Sequence, residues 1–187
     1  MGMPETLERW TAAQVRELPD DGKRYEVVDG ELLMTPSPSF DHQRAVGELF
    51  VMLRTYCQMV GSAEAVMSPA DIEFDPGTLV QPDVFVVPIA GARPKRWSDI
   101  QHLLLAVEVL SPSSARADRT VKRRRYQHAG VPEYWIVDLD ARLVERWRPG
   151  DERPEILTER LIWQPEDSPT PFAMELTPFF TTVLAGE

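Results

Sequence analysis

The stretch that most restricts how this chain can fold is AVEVLSPSSARADRTVKRRRYQHAG, residues 106–130, an apolar strand-like run that passes directly into a polar, basic segment with helical character. The apolar run begins slightly earlier, as HLLLAVEVL, and ends at a Ser-Pro turn. A Ser cap then opens a helix that Gly130 stops, and EYWIVD reads as the next strand. One carboxylate, Glu108, lies inside the apolar run. A charged group there needs a partner, a metal or a catalytic task.

The remaining elements follow from local pattern. TAAQ, Thr11 to Gln14, is a capping box that opens a short helix ending before Pro19. RYEVVDGELLM alternates around Asp29-Gly30 and predicts a hairpin. After a Pro-rich loop, apolar residues at 45, 46, 49, 53 and 56 keep the helical period up to Gly61. AEAVM, ADIEF and, beyond the Pro76-Gly77 turn, DVFVV are strand-like, and GARPKRWSD is a loop. RLVERWR pairs with EYWIVD around LDA, EILTERLIW adds one more strand, and ELTPFFTTVL docks as a short helix or strand. Hairpin, long helix, strands, helix and further strands define an α/β or α+β fold with a central mixed sheet.

At 187 residues and 43% hydrophobic content, the chain suits one domain over residues 1–187. Its core spans about 25–140, and 141–187 add C-terminal strands and a tail. A single cysteine, Cys57, excludes an intramolecular disulfide framework. MGMPETLERW has neither a basic n-region nor an apolar h-region, and no apolar run approaches the roughly 18 to 20 residues that span a bilayer. A soluble, cytoplasmic protein is expected. No G-x-G-x-x-G, Walker or G-x-S-x-G pattern is present, which removes the main nucleotide-cofactor and hydrolase-elbow readings.

Net charge is −10, which argues against a general nucleic-acid coat protein. Its distribution is uneven: −8 over residues 1–115, +5 over 116–130 and −7 over 131–187. The positive field is therefore confined to one short segment.

Side-chain alternation places Asp83 with Phe85 and Val87 on one strand face, and Glu108 with Ala106 and Leu104 on another. If those strands are neighbours, Asp83 and Glu108 meet at one edge of the sheet, an oxygen-only pair suited to Mg²⁺ or Mn²⁺. Two plainer roles stay open: Asp83 as a strand cap after Pro82, and Glu108 as the partner of an arginine. On the following helix, Asp118, Lys122 and Tyr126 are spaced i, i+4, i+8 and share the least polar face, which aims Lys122 towards Glu108. There it would orient the attacking water or balance charge on a pentavalent phosphorus. A helical Asp118–Lys122 pair is the simpler alternative. Arg116, Arg123 and Arg124 point elsewhere, towards solvent or a polyanion, and with Arg119 they form the candidate nucleic-acid grip. His42 faces inward from the long helix, either as a buried neutral imidazole or as a support for a carboxylate or phosphate. Glu48, on the flank of the same stripe, is a possible further metal ligand.

The blocks RYEVVDGELLMTPSPSFDHQRAVGEL, QPDVFVV and VEVLSPSSARADRTVKRRRYQHAGVPEYWIVD resemble successive blocks of the Uma2 family, formerly the DUF820 group, of bacterial proteins. The similarity runs from about Tyr25 to Asp138. It implies a restriction endonuclease-like, PD-(D/E)XK fold and a Mg²⁺-dependent nuclease acting on DNA. Pro82 and Asp83 match the PD of that pattern and Glu108 its acidic position. The lysine of an intact E-x-K would stand at position 110, which is Leu110, so Lys122 on the next helix is the candidate migrated lysine. The resemblance also admits a catalytically silent module that binds nucleic acid or a protein partner. A homodimer is possible for an enzyme that cuts both strands. Trp135, Trp147 and Trp163 fit core or sheet packing better than an interface.

Overall fold

The computed structural model describes residues 9–89, 94–100, 102–166 and 168–185. The readings of residues 1–8 and of 91–93 in the GARPKRWSD loop lie outside them. The strands are β1 (Arg24–Val28), β2 (Glu31–Thr35), β3 (Ala63–Met67), β4 (Ile72–Asp75), β5 (Thr78–Val80) and β6 (Val84–Pro88), followed by β7 (Leu105–Val109), β8 (Glu133–Asp138), β9 (Leu143–Trp147), β10 (Glu155–Leu157), β11 (Arg160–Trp163) and β12 (Phe172–Glu175). The helices are α1 (Ala12–Arg16), α2 (Phe40–Val60), α3 (Ala115–Ala117), α4 (Arg123–His128) and α5 (Leu176–Val183), with a π turn, Asp118–Lys122, joining α3 to α4.

The centre is a six-stranded sheet in the order β10-β9-β8-β7-β6-β3. It is mixed: β7 and β8 run parallel, with the helical segment 115–128 as their crossover, and the other pairs are antiparallel. Every residue of β7 is buried, as a strand covered on both faces requires. One face packs on α2, α5 and the β11–β12 ribbon. The apolar stripe read at 45, 46, 49, 53 and 56 is buried along α2, and Val46, Leu49 and Leu53 each contribute about 1.5–3 kcal/mol. Ser39 caps the start of α2, and Gly61 closes it at φ 75°. The other face packs on α4 through Phe85, Ala106, Tyr126, Tyr134 and Ile136. Trp135, Trp147 and Trp163 are all buried.

The hairpin forms as its sequence requires. Asp29 and Gly30 both take positive φ, 50° and 83°, the conformation of a two-residue turn that matches strand twist. A Cβ on Gly30 would also stand 2.9 Å from the Arg9 Cβ, so space as well as φ favours glycine. The hairpin belongs to a second, four-stranded antiparallel sheet, β2-β1-β5-β4. The sequence reading did not anticipate β5, a three-residue strand that completes this sheet. On β1, Val27 faces α1 while Val28 faces the central layer. By alternation, Arg24 and Glu26 share the inner face with Val28.

Two further corrections concern local structure. EILTERLIW is not one strand: Glu155–Leu157 joins the central sheet, whereas Arg160–Trp163 pairs with β12. Apolar alternation cannot show which partner takes each half. The helix after β7 is also not a regular α-helix. Arg123 N–H donates to Asp118 O, five residues back, and that carbonyl also accepts from the Tyr134 hydroxyl at 3.1 Å. π turns of this kind are often found at functional sites.

Candidate active site

β6 begins at Val84, so Asp83 stands one residue before the strand. The β6–β7 register pairs Val84 with Val107, and one step further brings Asp83 opposite Glu108. The convergence read from the two strand faces is therefore present. Both acids are 2% exposed and line a cleft of about 1030 Å³. Lys122, His42, Arg24 and Glu26 line the same cleft.

Asp83 is held from three sides. Arg24 Nη1 donates to Oδ1 at 2.7 Å, while Oδ2 accepts the Val109 N–H at 2.9 Å and has His42 Nε2 at 3.2 Å. Burial by itself would raise this carboxyl, but the His42 hydrogen bond and the Arg24 charge outweigh it and bring it down to about 2. Asp83 is an ionised acid at neutral pH. His42, read from the sequence as either a buried imidazole or a support for a carboxylate, is buried against the Asp83 carboxylate, with its Nδ1 without a hydrogen-bond partner among the described residues.

Glu108 has a different environment. Lys122 Nζ stands 2.6 Å from its Oε1, and the Tyr126 hydroxyl donates to the same oxygen at 3.1 Å. Lys122 also meets Glu26 at 3.0 Å and Asp118 at 3.6 Å, the latter being the i, i+4 pair visible in the sequence. Burial drives the Glu108 carboxyl well above the usual carboxylate range, and Asp83, Asp118 and Glu26 push the same way against Lys122. For Lys122, burial acts downward but the three surrounding carboxylates override it, so the ammonium stays protonated. Burial together with Glu108 raises the Tyr126 phenol, which remains a neutral donor. Burial likewise raises Asp118 against Lys122, and its two oxygens are buried without a hydrogen bond. Asp118, Lys122 and Tyr126 therefore do converge below Glu108, as their spacing predicts. Asp118 and Tyr126 support the site from beneath and do not line the cleft.

Other candidates land elsewhere. Glu48 is exposed on α2 and does not line the cleft, so the structure does not bring it to Asp83 and Glu108. Arg123 does not face open solvent. Its guanidinium lies 4.6 Å from the Trp147 ring centre and bonds Gln127 at 2.7 Å, on the flank it shares with Arg119 four residues earlier. Arg119 stands at the cleft but is paired with Asp138 and Glu145, both at 2.7 Å. Arg116 and Arg124 are exposed.

Two site residues escaped the sequence reading. Glu26 is 2% exposed, with its Oε1 accepting the Gln81 N–H at 2.7 Å while Lys122 lies against both oxygens. Its signal was the one that marked Glu108, an acid within an apolar run, here YEVV. Arg24 had no such signal, since at the edge of a hairpin it reads as a solvated charge.

Four buried carboxylates thus face two permanently charged side chains, Arg24 and Lys122, together with His42. Among the described residues no three His, Cys, Asp or Glu side chains form a ready-made metal cage. The arrangement resembles instead the sparse oxygen sites of Mg²⁺, which uses one or two carboxylates and keeps most of its water.

A mixed sheet with one acid just before β6 and another on the adjacent β7, a lysine beside the second and an open cleft above fit the restriction endonuclease-like, nuclease fold that the sequence resemblance implies. A family model, Uma2, described as "Putative restriction endonuclease", matches residues 12–177, and the chain belongs to that family. Among solved structures it is similar to a "putative nuclease belonging to DUF820" from Anabaena variabilis ATCC 29413, with 18% identity, a TM-score of 0.71, and coverage of 94% of this chain and 99% of that one. At that identity the likeness shows the fold. A search of curated proteins found no match. Among the described residues no helix is long and apolar enough to cross a membrane.

Proposed function

We propose that this protein is a divalent-metal-dependent endonuclease that hydrolyses phosphodiester bonds in DNA. The observation that carries the reading is the placement of Asp83 and Glu108 across one strand pair on the floor of an open cleft, with the Lys122 ammonium 2.6 Å from Glu108. The donor set of Asp83 and Glu108 is oxygen-only, which fits Mg²⁺ or Mn²⁺. Asp83 and Glu108 would hold the ion. Such an ion lowers the pKa of its bound water and offsets charge developing on phosphorus.

The chain's own groups have separable tasks. Asp83 is kept ionised by Arg24 and His42, so its ligand oxygens are preorganised. Lys122 is protonated and surrounded by acids, and it therefore acts as an electrostatic group rather than as a proton acceptor. Tyr126 fixes Glu108 Oε1 from below. Arg24, Lys23 and Arg119 line the cleft and can meet phosphate oxygens, while the exposed Arg116 and Arg124 extend the basic surface along the helix. Asp20, Asp41, Asp138 and Asp140 also line the cleft, and they would limit indiscriminate backbone binding.

One observation favours a second reading. Both acids already carry cationic partners, as they would in a nuclease-fold module that binds without cutting. Supercoiled plasmid incubated with Mg²⁺ or Mn²⁺ separates the two. Cleavage by the wild type, lost in Asp83→Ala and in Glu108→Ala, is the enzyme result. Equal background from all three proteins would sink it in favour of the silent module.

A further inference from the structure

We infer that Glu26 is a positioning residue for the Glu108 cation site: it holds the Lys122 ammonium to one side of Glu108, so that the other side of that carboxylate stays able to take a divalent cation. This rests on the cation reading of Asp83 and Glu108 given above.

The geometry is specific. Among the described residues, the Lys122 ammonium and the Tyr126 hydroxyl both meet Glu108 at Oε1. Lys122 is drawn to that side by Glu26, whose two oxygens lie 3.0 and 3.1 Å from Nζ, and by Asp118 at 3.6 Å. Glu26 is itself fixed, because its Oε1 accepts the Gln81 N–H at 2.7 Å, two residues before Asp83. One backbone segment therefore sets both the lysine anchor and the other acid of the site.

Lys122 is 2% exposed and cannot recruit water to satisfy its charge. An ammonium so placed distributes its charge among the acids that touch it. With Glu26 present, Glu108 supplies only part of that compensation and keeps negative charge for a second cation. Without Glu26, Lys122 leans on Glu108, the nearest remaining acid, and competes with the incoming ion. The small sheet thus has a task beyond covering the core: β1 carries Arg24 to Asp83 and Glu26 to Lys122 from the same face.

The test is Mn²⁺ binding to the full chain without DNA, followed by the loss of the free-ion electron paramagnetic resonance signal, with circular dichroism of each variant as the folding check. Glu26→Gln should weaken Mn²⁺ binding about tenfold, and Glu26→Asp, which keeps the charge, should stay within about twofold of wild type. In a Lys122→Met background the Glu26→Gln effect should shrink to about twofold or less, because the group through which Glu26 acts is gone. Wild-type affinity in Glu26→Gln overturns this inference alone. So does an undiminished effect in the Lys122→Met background, or an Asp variant as weak as the Gln variant. If Lys122→Met does not fold, the Gln and Asp comparison decides by itself. Absence of Mn²⁺ binding by the wild type overturns the cation reading and this inference together.

Discussion

Replacing Lys122 by methionine removes a charge while keeping most of the side-chain volume, and the structure sets the size of the consequence. Glu108, Glu26 and Asp118 lie within 3.6 Å of Nζ and are each almost wholly buried. Removing one partner from a buried ion pair costs about 3–5 kcal/mol, a large part of the roughly 5–15 kcal/mol that stabilises a domain. Burial already raises the Glu108 and Asp118 carboxyls, and Lys122 is what opposes that rise, so without it both take up protons more readily and their folded-state pKa values rise further above the unfolded ones. The folded variant then holds more protons than the unfolded chain, and its stability is greatest at low pH and falls as pH rises through the raised values. One extra bound proton gives a slope of about 1.4 kcal/mol per pH unit. Urea unfolding followed by tryptophan fluorescence, with wild type and Lys122→Met compared at pH 5, 6.5 and 8, measures the difference directly. The expected loss is about 3–5 kcal/mol at pH 8, shrinking to about 1 kcal/mol at pH 5. A loss under about 1 kcal/mol at pH 8, or one that does not change with pH, would refute the account of Lys122 as the main counter-charge of three buried acids.

Four further outcomes follow from the geometry. Asp83→Asn should reduce plasmid cleavage about a hundredfold or more, and more than a tenth of wild-type activity would remove Asp83 from the reacting centre. Because Asp83 is held near 2, its contribution to stability is complete above the unfolded value near 3.8 and fades as pH falls towards 2. Arg24→Met should therefore move the acid-unfolding midpoint to higher pH, and an unmoved midpoint would show that Arg24 does not hold that carboxyl down. Arg116→Ala with Arg124→Ala should flatten the salt dependence of DNA binding by about two units of slope. Arg123→Ala should leave that slope unchanged and cost about 0.5–1 kcal/mol of stability through the lost Trp147 stacking; the reverse pattern would return Arg123 to the DNA-facing group.

The site was legible where one residue conflicted with its surroundings. Glu108 inside an apolar strand could not be a solvated surface charge, and helical spacing alone was enough to set Asp118, Lys122 and Tyr126 beneath it. Asp83 was legible as half of a pair because strand alternation has a period of two and both runs were short. Arg123 misled because its partner, the Trp147 ring, comes from a strand 24 residues further on, which no pattern in DRTVKRRR announces. Glu48 misled because a position on the flank of an apolar stripe is compatible with either side of a helix, and packing placed it outside.

The sequence by itself determined the elements and their inward faces: the Asp29-Gly30 hairpin, the stripe of α2, the apolar β7 and the acid it contains. Each of these depends on neighbours within a few residues, through backbone conformation and side-chain periodicity. Only the tertiary structure decided which charges would meet. Arg24 and Asp83 are 59 residues apart, and Glu26 and Lys122 are 96 apart. They meet because a second sheet, completed by a three-residue strand, lies over the parallel crossover of the first. Pairing across such distances is set by how whole layers bury their apolar faces, which no local pattern around Glu26 or Lys122 encodes.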